Sequence, residues 1–114
     1  MHELSIALNI LDIAAEVAGQ HEGRVVAVRV KLGPLSGVQK DALGWAFDLA
    51  KEETLLATAE LVIDETSLSA YCPACSAVRT LQSDHELCCP VCGGPTPEIK
   101  TGRELEVVAL EIDP

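Results

Sequence analysis

The sequence predicts an α+β domain in which two helices pack on a small mixed β-sheet, with an inserted zinc-ribbon module of two C-x-x-C knuckles. Two segments repeat apolar residues at helical spacing, and three others have the composition of strands. All five cysteines and four of the six prolines fall within residues 72–97. We therefore expect an α+β domain formed by residues 1–70 with 99–114, and a separate metal-binding domain formed by residues 71–98.

The composition limits the partners that this domain can bind. Eight lysines and arginines stand against 18 aspartates and glutamates, which gives a net charge of −10 and repels nucleic acids and anionic lipids. Aromatic residues make up 3% of the chain and offer few surfaces on which bases could stack. We expect no nucleic-acid partner and no membrane association. No basic leader precedes an apolar stretch, which predicts a cytoplasmic location.

The first helix is predicted over residues 3–20. Its polar residues recur at steps of three and four and form one stripe: Ser5, Asn9, Asp12, Glu16 and Gln20. The rest of its circumference is mainly apolar, so the helix needs a larger surface than one partner helix, such as a sheet face. Gly19 and Gly23 mark its C-terminal end.

A strand and a second helix follow. Residues Arg24–Leu32 alternate apolar and polar side chains and predict a half-buried strand, which ends at the turn-forming residues 33–37. Helical spacing then returns, so an amphipathic helix is predicted to run to about residue 53. The apolar residues that carry this spacing are Val38, Ala42, Trp45, Ala46 and Leu49.

Two further strands are predicted on either side of the cysteine-rich segment. Residues 60–70 have strand-like composition, but Leu61 and Ile63 have the opposite parity from Leu68 and Ala70. A bulge near Glu65 would reconcile them within one strand. Residues 104–112 predict a last strand, which should return to the first sheet because an isolated edge would be unstable.

Four cysteines have the spacing of a metal site. Cys72 and Cys75 form one C-x-x-C pair, Cys89 and Cys92 form another, and 13 residues separate the pairs. Four thiolates suit tetrahedral Zn²⁺, and a site closed by four protein ligands leaves no position for catalysis, so the predicted role is structural. A rubredoxin-like iron site, a redox dithiol and paired disulfides are the alternatives.

Other potential ligands in the chain have simpler interpretations. Cys88 could replace Cys89 only by breaking the second knuckle, so we interpret it as a bystander. His85 lies in a polar segment and is interpreted as an exposed loop residue, with an auxiliary metal contact as the alternative. His21 follows the first helix and is expected to be solvated.

The first three residues offer a different ligand set. The amine of Met1, the amide nitrogen and imidazole of His2, and Glu3 could close adjacent chelate rings around one ion in a nearly square plane. Nitrogen-rich tetragonal geometry favours Ni²⁺ or Cu²⁺ over Zn²⁺, and binding should strengthen with pH because protons must leave the ligands. Taken alone, a histidine at position 2 is compatible with chance.

A resemblance over the whole chain bears on this ligand set. Residues 1–5, residues 33–38, the two cysteine pairs, Gly102 and residues 110–112 resemble the hydrogenase nickel-incorporation proteins of the HypA/HybF family. The resemblance implies a nickel metallochaperone with a structural zinc ribbon. It implies nickel bound through His2 and delivered to the large subunit of nickel–iron hydrogenase. A hydrogenase-maturation GTPase is the implied partner, and some members also serve urease.

One departure from the family pattern concerns the nickel end. Some relatives have an acidic residue at the start of the second helix, where this chain has Gln39, with Asp41 two positions later. Asp41 is therefore a candidate for the missing acidic group. The alternative function is a zinc-ribbon module that binds protein or nucleic acid without nickel transfer. We expect no enzyme activity, because no paired nucleophile and base, open metal motif or phosphate loop occurs in the sequence.

Overall fold

The computed structural model describes residues 2–114, which form two compact units. The first unit contains the chain up to Lys31 together with Val38–Asp64 and Glu106–Pro114. The second contains Leu32–Gly37 and Glu65–Leu105. None of the helices in the described residues has the length and apolar character needed to span a membrane.

The first unit is built from two helices and a three-stranded sheet. Its elements are α1 (Glu3–Ala18), β1 (Arg24–Leu32), α2 (Lys40–Lys51), β2 (Glu60–Glu65) and β6 (Leu105–Asp113), with sheet order β2-β1-β6. Helix α1 contacts α2 and buries one face at helical spacing, formed by Ala7, Ile10, Leu11 and Ala14. These side chains share one core with valines of β1, so the predicted packing of helices on a sheet is confirmed.

Helix α2 is present, but only part of the apolar stripe that indicated it packs against the core. Leu43 and Phe47 are fully buried, whereas Trp45 is 72% exposed and Leu49 is 66% exposed. The helix has two apolar stripes at the same spacing, and the spacing does not say which of them meets the core. Leu43 and Phe47 share the core cluster with residues of α1 and β1, and Ala46 packs against that cluster, whereas Trp45 and Leu49 stay at the surface.

An ion-pair network links the three strands of the first sheet. Arg29 on the central strand β1 donates through Nε to Glu111 Oε1 on β6 at 3.2 Å. Its Nη1 lies 3.4 Å from Asp64 Oδ2 on β2. The hydrogen bond with Glu111 and the charges of both carboxylates raise the pKa of Arg29. One charged side chain from each of the three strands therefore meets at the exposed face of the sheet.

The second unit contains a sheet of short strands. Its elements are β3 (Ser69–Cys72), β4 (Ala77–Thr80) and β5 (Glu98–Thr101), with order β4-β3-β5 and antiparallel pairing on both sides of β3. A small cluster of Leu68, Ala70 and Leu81 is buried there, with Leu35 and Ile99 against it.

The single strand predicted over residues 60–70 is wrong. The segment forms two strands, β2 and β3, that belong to different sheets. The change of parity that suggested a bulge at Glu65 therefore reflects a passage of the chain from one sheet to the other. The second unit is also larger than residues 71–98, because it includes 32–37 and the strands that flank the cysteines.

Two glycines bring two segments of the second unit into close backbone contact. Gly33 N–H donates to the Glu104 carbonyl at 2.8 Å, and Leu35 N–H donates to the Gly102 carbonyl at 2.7 Å. Gly102 has φ +125°, a conformation that side chains rarely adopt. A Cβ added at Gly33 would lie 2.2 Å from the Gly102 carbonyl oxygen, so no larger residue fits without separating the segments.

We expect Gly33→Ala to destabilise the zinc-loaded protein by about 3 kcal/mol, because the clash is with backbone that cannot move aside. Gly44→Ala is the matched control. Gly44 lies within α2 and an added Cβ would meet nothing within 4 Å, so this change should stabilise by up to about 1 kcal/mol. Urea unfolding followed by circular dichroism measures both. Equal stability of Gly33→Ala and the unmodified protein would contradict the close contact.

Candidate metal centres

Four cysteine sulfurs cluster in the second unit. The Sγ atoms of Cys72, Cys75, Cys89 and Cys92 all lie within 4.8 Å of one another. Cys72 Sγ lies 3.5 Å from Cys92 Sγ, and Cys75 Sγ lies 3.9 Å from Cys89 Sγ. A tetrahedron with Zn–S bonds of ~2.3 Å has edges of ~3.8 Å. The sulfurs are therefore spaced as a tetrahedral zinc site requires, and the donor set fits that ion.

Two similar turns hold the sulfurs in place. In the first turn, which follows β3, Cys75 N–H donates to Cys72 Sγ at 3.4 Å. In the second, Cys89 Sγ accepts from Val91 N–H at 3.4 Å and from Cys92 N–H at 3.5 Å. Amides that point at sulfur favour the thiolate form, which is the form that binds metal.

Each turn needs a residue with positive φ directly after its second cysteine. Gly93 has φ +75°, as the sequence suggested for the last ligand. Ser76 occupies the equivalent position of the first turn with φ +53°, which the sequence did not suggest because the residue is not glycine. The common spacing of the two C-x-x-C pairs is thus matched by a common backbone conformation.

Two sulfurs of the cluster, those of Cys89 and Cys92, have pKa values shifted in opposite directions. The Cys92 amide hydrogen bond, opposed by burial and helped by the Val91 amide, lowers the pKa of Cys89 to about 6. The Gly94 amide acts to lower the pKa of Cys92, but hydrogen bonds with the other three sulfurs raise it to about 12. The neighbouring sulfurs therefore favour the protonated form of Cys92, and a bound cation would favour its thiolate instead.

Arg79 is a neighbour of the cluster that the sequence pattern does not identify. It pairs with Ala70 across the β3–β4 hairpin, two positions from Cys72 in register. A hydrogen bond with Cys75, opposed by burial and assisted by the charges of Cys75 and Cys89, raises the pKa of Arg79. A guanidinium beside four thiolates offsets part of their charge.

Cys88 and His85 lie apart from this cluster. Cys88 is exposed and forms an isolated bridge with Pro95. The His85 side chain is 88% exposed and lies 3.4 Å from Asp84. Neither belongs to the group of potential ligands around Cys72. The second turn is thus completed by Cys89, as the knuckle spacing predicts.

We expect zinc retention to decrease as the pH falls. Zinc holds its ligands as thiolates, whereas free thiols have a pKa of about 8.5, so below that pH the unfolded chain binds more protons than the loaded protein. Four thiolates give a slope of up to about 5 kcal/mol per pH unit, with stability lost toward acid. Zinc release into a colorimetric indicator between pH 8 and pH 4 measures this. Release that does not depend on pH would argue against thiolate ligands.

The N-terminal candidates lie at the start of α1. His2 is exposed and is the N-cap residue, and its carbonyl accepts from Ile6 N–H at 3.3 Å. Its imidazole makes no capping hydrogen bond, so the ring is not occupied in holding the helix. Glu3 is partly buried in the first turn. The Met1 amine lies outside the described residues.

The structure does not gather these candidates into a side-chain cluster. Gln39 is the N-cap residue of α2 and Asp41 lies in its first turn, where it is exposed. Among residues 2–114, the cysteine cluster is the group of three or more potential metal-binding side chains that comes together. A site at His2 would therefore depend on main-chain nitrogens and not on a preformed set of side chains.

Comparison with known proteins gives matches over the full chain. The family described as hydrogenase/urease nickel incorporation, metallochaperone, HypA, matches residues 1–112. Hydrogenase maturation factor HypA of Chloroflexus aggregans is 46% identical over 112 residues, covering 97% of this chain and 98% of the relative. The corresponding factor of Chloroflexus aurantiacus J-10-fl is 47% identical with the same coverage.

Solved structures agree with the sequence matches. The solution structure of the Ni metallochaperone HypA from Helicobacter pylori superposes with a TM-score of 0.68 at 26% identity. It covers 98% of this chain and 97% of that one. A second solution structure of a HypA protein gives a TM-score of 0.72 at 25% identity, with 98% and 96% coverage. The arrangement described above is thus shared over the whole length.

Proposed function

Since this chain belongs to the HypA family of nickel metallochaperones for hydrogenase maturation, we propose that it binds Ni(II) at its N-terminus through His2 and delivers it to nickel–iron hydrogenase. The observation that carries the proposal is the imidazole of His2, which is exposed at the start of α1 and not used as a helix cap. A carrier needs a ligand that solvent and a recipient can reach. The four sulfurs of the cysteine cluster instead form a closed set around one position, which leaves no open ligand for a recipient protein.

The chemistry of the first residues supports nickel as the cargo. The Met1 amine, the His2 amide and the His2 imidazole would supply three nitrogens, with Glu3 as a further oxygen ligand. Nitrogen ligands in a tetragonal arrangement favour Ni²⁺ over Zn²⁺. Because two of these nitrogens must lose protons before they bind metal, the site is exchangeable near neutral pH. An exchangeable site suits a protein that must release its metal.

We assign the zinc site to Cys72, Cys75, Cys89 and Cys92, and we give it a structural role. In this proposal, the nickel-binding domain predicted as residues 1–70 with 99–114 corresponds to the first unit, and the zinc-binding residues 71–98 lie within the larger second unit. When zinc is bound, it supplies a fixed crosslink between the two turns. The proposal includes no catalytic turnover by the chain itself.

We further propose that the partners are the large subunit of nickel–iron hydrogenase and the hydrogenase-maturation GTPase, and that urease is a second recipient. The matching family is described as serving both hydrogenase and urease nickel incorporation, which supports the two recipients. We place this activity in the cytoplasm. The cytoplasm keeps thiols reduced and available for zinc, and all five cysteines are free of disulfide bonds.

Complementation of a strain that lacks its own family member tests the delivery of nickel. The unmodified chain, His2→Ala and His85→Ala are expressed with native N-termini, and hydrogenase activity is measured at low and at high nickel. We expect His2→Ala to lose activity at low nickel and to regain it at high nickel, whereas His85→Ala stays active at both. Full activity of His2→Ala at low nickel would refute delivery through His2.

A further inference from the structure

An open groove lies between helix α2 and the edge strand β2 in the first unit, and neither His2 nor a cysteine of the cluster lines it. Its volume is about 410 Å³. It is lined from the helix side by residues that recur about one turn apart, including Asp41, Gly44, Trp45 and Asp48. It is lined from the sheet side by residues 60–63. The groove is therefore bounded by one helix face and one strand.

The strand presents its main-chain edge to the groove. Side chains of consecutive strand residues point to opposite faces of a sheet. The lining nevertheless includes Glu60, Leu61, Val62 and Ile63 in succession, which places the backbone of β2 along the wall. In the described residues, β2 has β1 on one side and no strand on the other. Such an edge can pair with another extended segment.

The helix offers space and an apolar contact opposite that edge. Gly44 has no side chain, and a Cβ added there would meet nothing within 4 Å, so it leaves room for an incoming side chain. Trp45 beside it is 72% exposed. Leu49, one turn further on, is also exposed and extends the apolar surface. An exposed tryptophan beside a glycine with free space above it forms a suitable contact surface for an apolar side chain of a partner.

The groove carries a surplus of acidic side chains, which favours a basic segment as its ligand. Asp41, Asp48 and Glu60 line it, against one basic residue, Lys40. Lys51 lies 3.2 Å from Asp48 and also donates to the Ala59 carbonyl at 2.8 Å, so it neutralises part of the acidic charge at one end. The lining keeps an acidic surplus. A segment with lysines or arginines complements it.

Charge also argues against a second copy of this chain as the occupant. Strand β2 carries Glu60, Asp64 and Glu65 and no basic residue. Pairing two such edges would set like charges against each other, and each chain has a net charge of −10.

We propose that this groove binds an extended, basic segment of a partner protein as a fourth strand on β2, with one apolar side chain over Gly44 against Trp45. Main-chain hydrogen bonds to β2 supply the affinity, and the acidic lining selects lysine or arginine in the segment. Because His2 does not line the groove, binding of the segment does not require metal at His2.

The test uses the zinc-loaded full chain and a synthetic peptide of alternating lysine and valine with blocked ends. Trp45 is the only tryptophan, so its fluorescence reports directly on the groove. We expect a saturable blue shift that weakens as salt is added. Two further peptides are N-methylated, one on the valines and the other on the lysines. Because the N–H groups of alternate residues point to the same edge of a strand, the two peptides are blocked at opposite edges. The peptide whose methyl groups face β2 should lose binding, and the peptide whose methyl groups face away should keep it.

Protein variants localise the binding. Gly44→Leu should weaken binding by about tenfold or more, because it fills the space over the helix. Glu60→Gln should weaken it by about threefold. Glu106→Gln makes the same charge change on β6, at the opposite edge of the sheet, and should leave binding unchanged. Circular dichroism checks that each variant is folded. If Gly44→Leu does not fold, the comparison of Glu60→Gln with Glu106→Gln still tests the proposal.

Several outcomes would overturn the proposal. These are the absence of a saturable shift, equal binding of both N-methylated peptides, and equal effects of Glu60→Gln and Glu106→Gln. A dimer in sedimentation that Gly44→Leu abolishes would assign the groove to a second copy of the chain instead.

Discussion

Cys72→Ala is expected to remove zinc from the protein and to unfold the second unit while the first unit stays folded. The second unit has three strands of four residues each and a buried cluster of three apolar residues. Such a small core cannot offset the conformational entropy of ordering the chain. Zinc binding in comparable small sites contributes about 10–16 kcal/mol, which is the missing stabilisation.

Metal analysis and hydrogen exchange by mass spectrometry measure this result. Zinc content should fall from one equivalent to none, and amides of residues 65–105 should lose protection while those of α1 and β1 keep it. Cys88→Ala is the matched control, because this cysteine lies close in sequence but is exposed and outside the cluster. Zinc retained by Cys72→Ala, or lost from Cys88→Ala, would show that the ligands are assigned wrongly.

His2→Ala is expected to weaken Ni(II) binding by at least about tenfold, or 1.4 kcal/mol, without changing zinc content. The imidazole is the one side-chain nitrogen of the proposed set, and the amine and amide alone make a poorer chelate. Affinity in the unmodified protein should rise with pH, since protons leave the ligands as nickel binds. Calorimetric titration of zinc-loaded, untagged protein at several pH values measures both effects.

The other two histidines of the chain supply the controls for this titration. His21→Ala and His85→Ala remove the same group from exposed positions and should bind nickel as the unmodified protein does. A short N-terminal extension, which moves the amine away from His2, should weaken binding as much as His2→Ala does. Equal affinity of His2→Ala and the unmodified protein would remove the proposed nickel site.

The sequence predicts most of the fold where local patterns and long-range packing agree. Helix α1, strand β1, the return of the last strand to the first sheet and the two cysteine turns are confirmed. The helix, the first strand and the turns have strong signals because periodicity, turn residues and cysteine spacing are local, whereas the return of the last strand follows from the instability of an isolated edge. The family resemblance is confirmed over residues 1–112.

The parts that could not be predicted depend on tertiary contacts. Two apolar stripes on α2 have the same spacing, and only the position of α1 and β1 decides that Phe47 is buried and Trp45 is exposed. Strands β4 and β5 are four residues long and lack a pattern that separates them from loops. The nearness of Arg79 to the sulfurs follows from the pairing of β4 with β3, which the sequence does not reveal.

The two proposed metal sites differ in accessibility, and this difference is the basis of the proposed carrier function. Two of the four cluster cysteines, Cys72 and Cys89, are buried, and the sulfurs are held by backbone amides. His2 is exposed at a helix start. We therefore expect nickel to exchange readily and zinc to stay bound.

Competition with a chelator tests this difference most directly. Untagged protein loaded with both metals is mixed with nitrilotriacetate at neutral pH, and each metal that leaves is counted over time. We expect nickel to leave quickly while one zinc per chain remains bound. Zinc leaving before nickel, or protein that holds no nickel at the start, would contradict it.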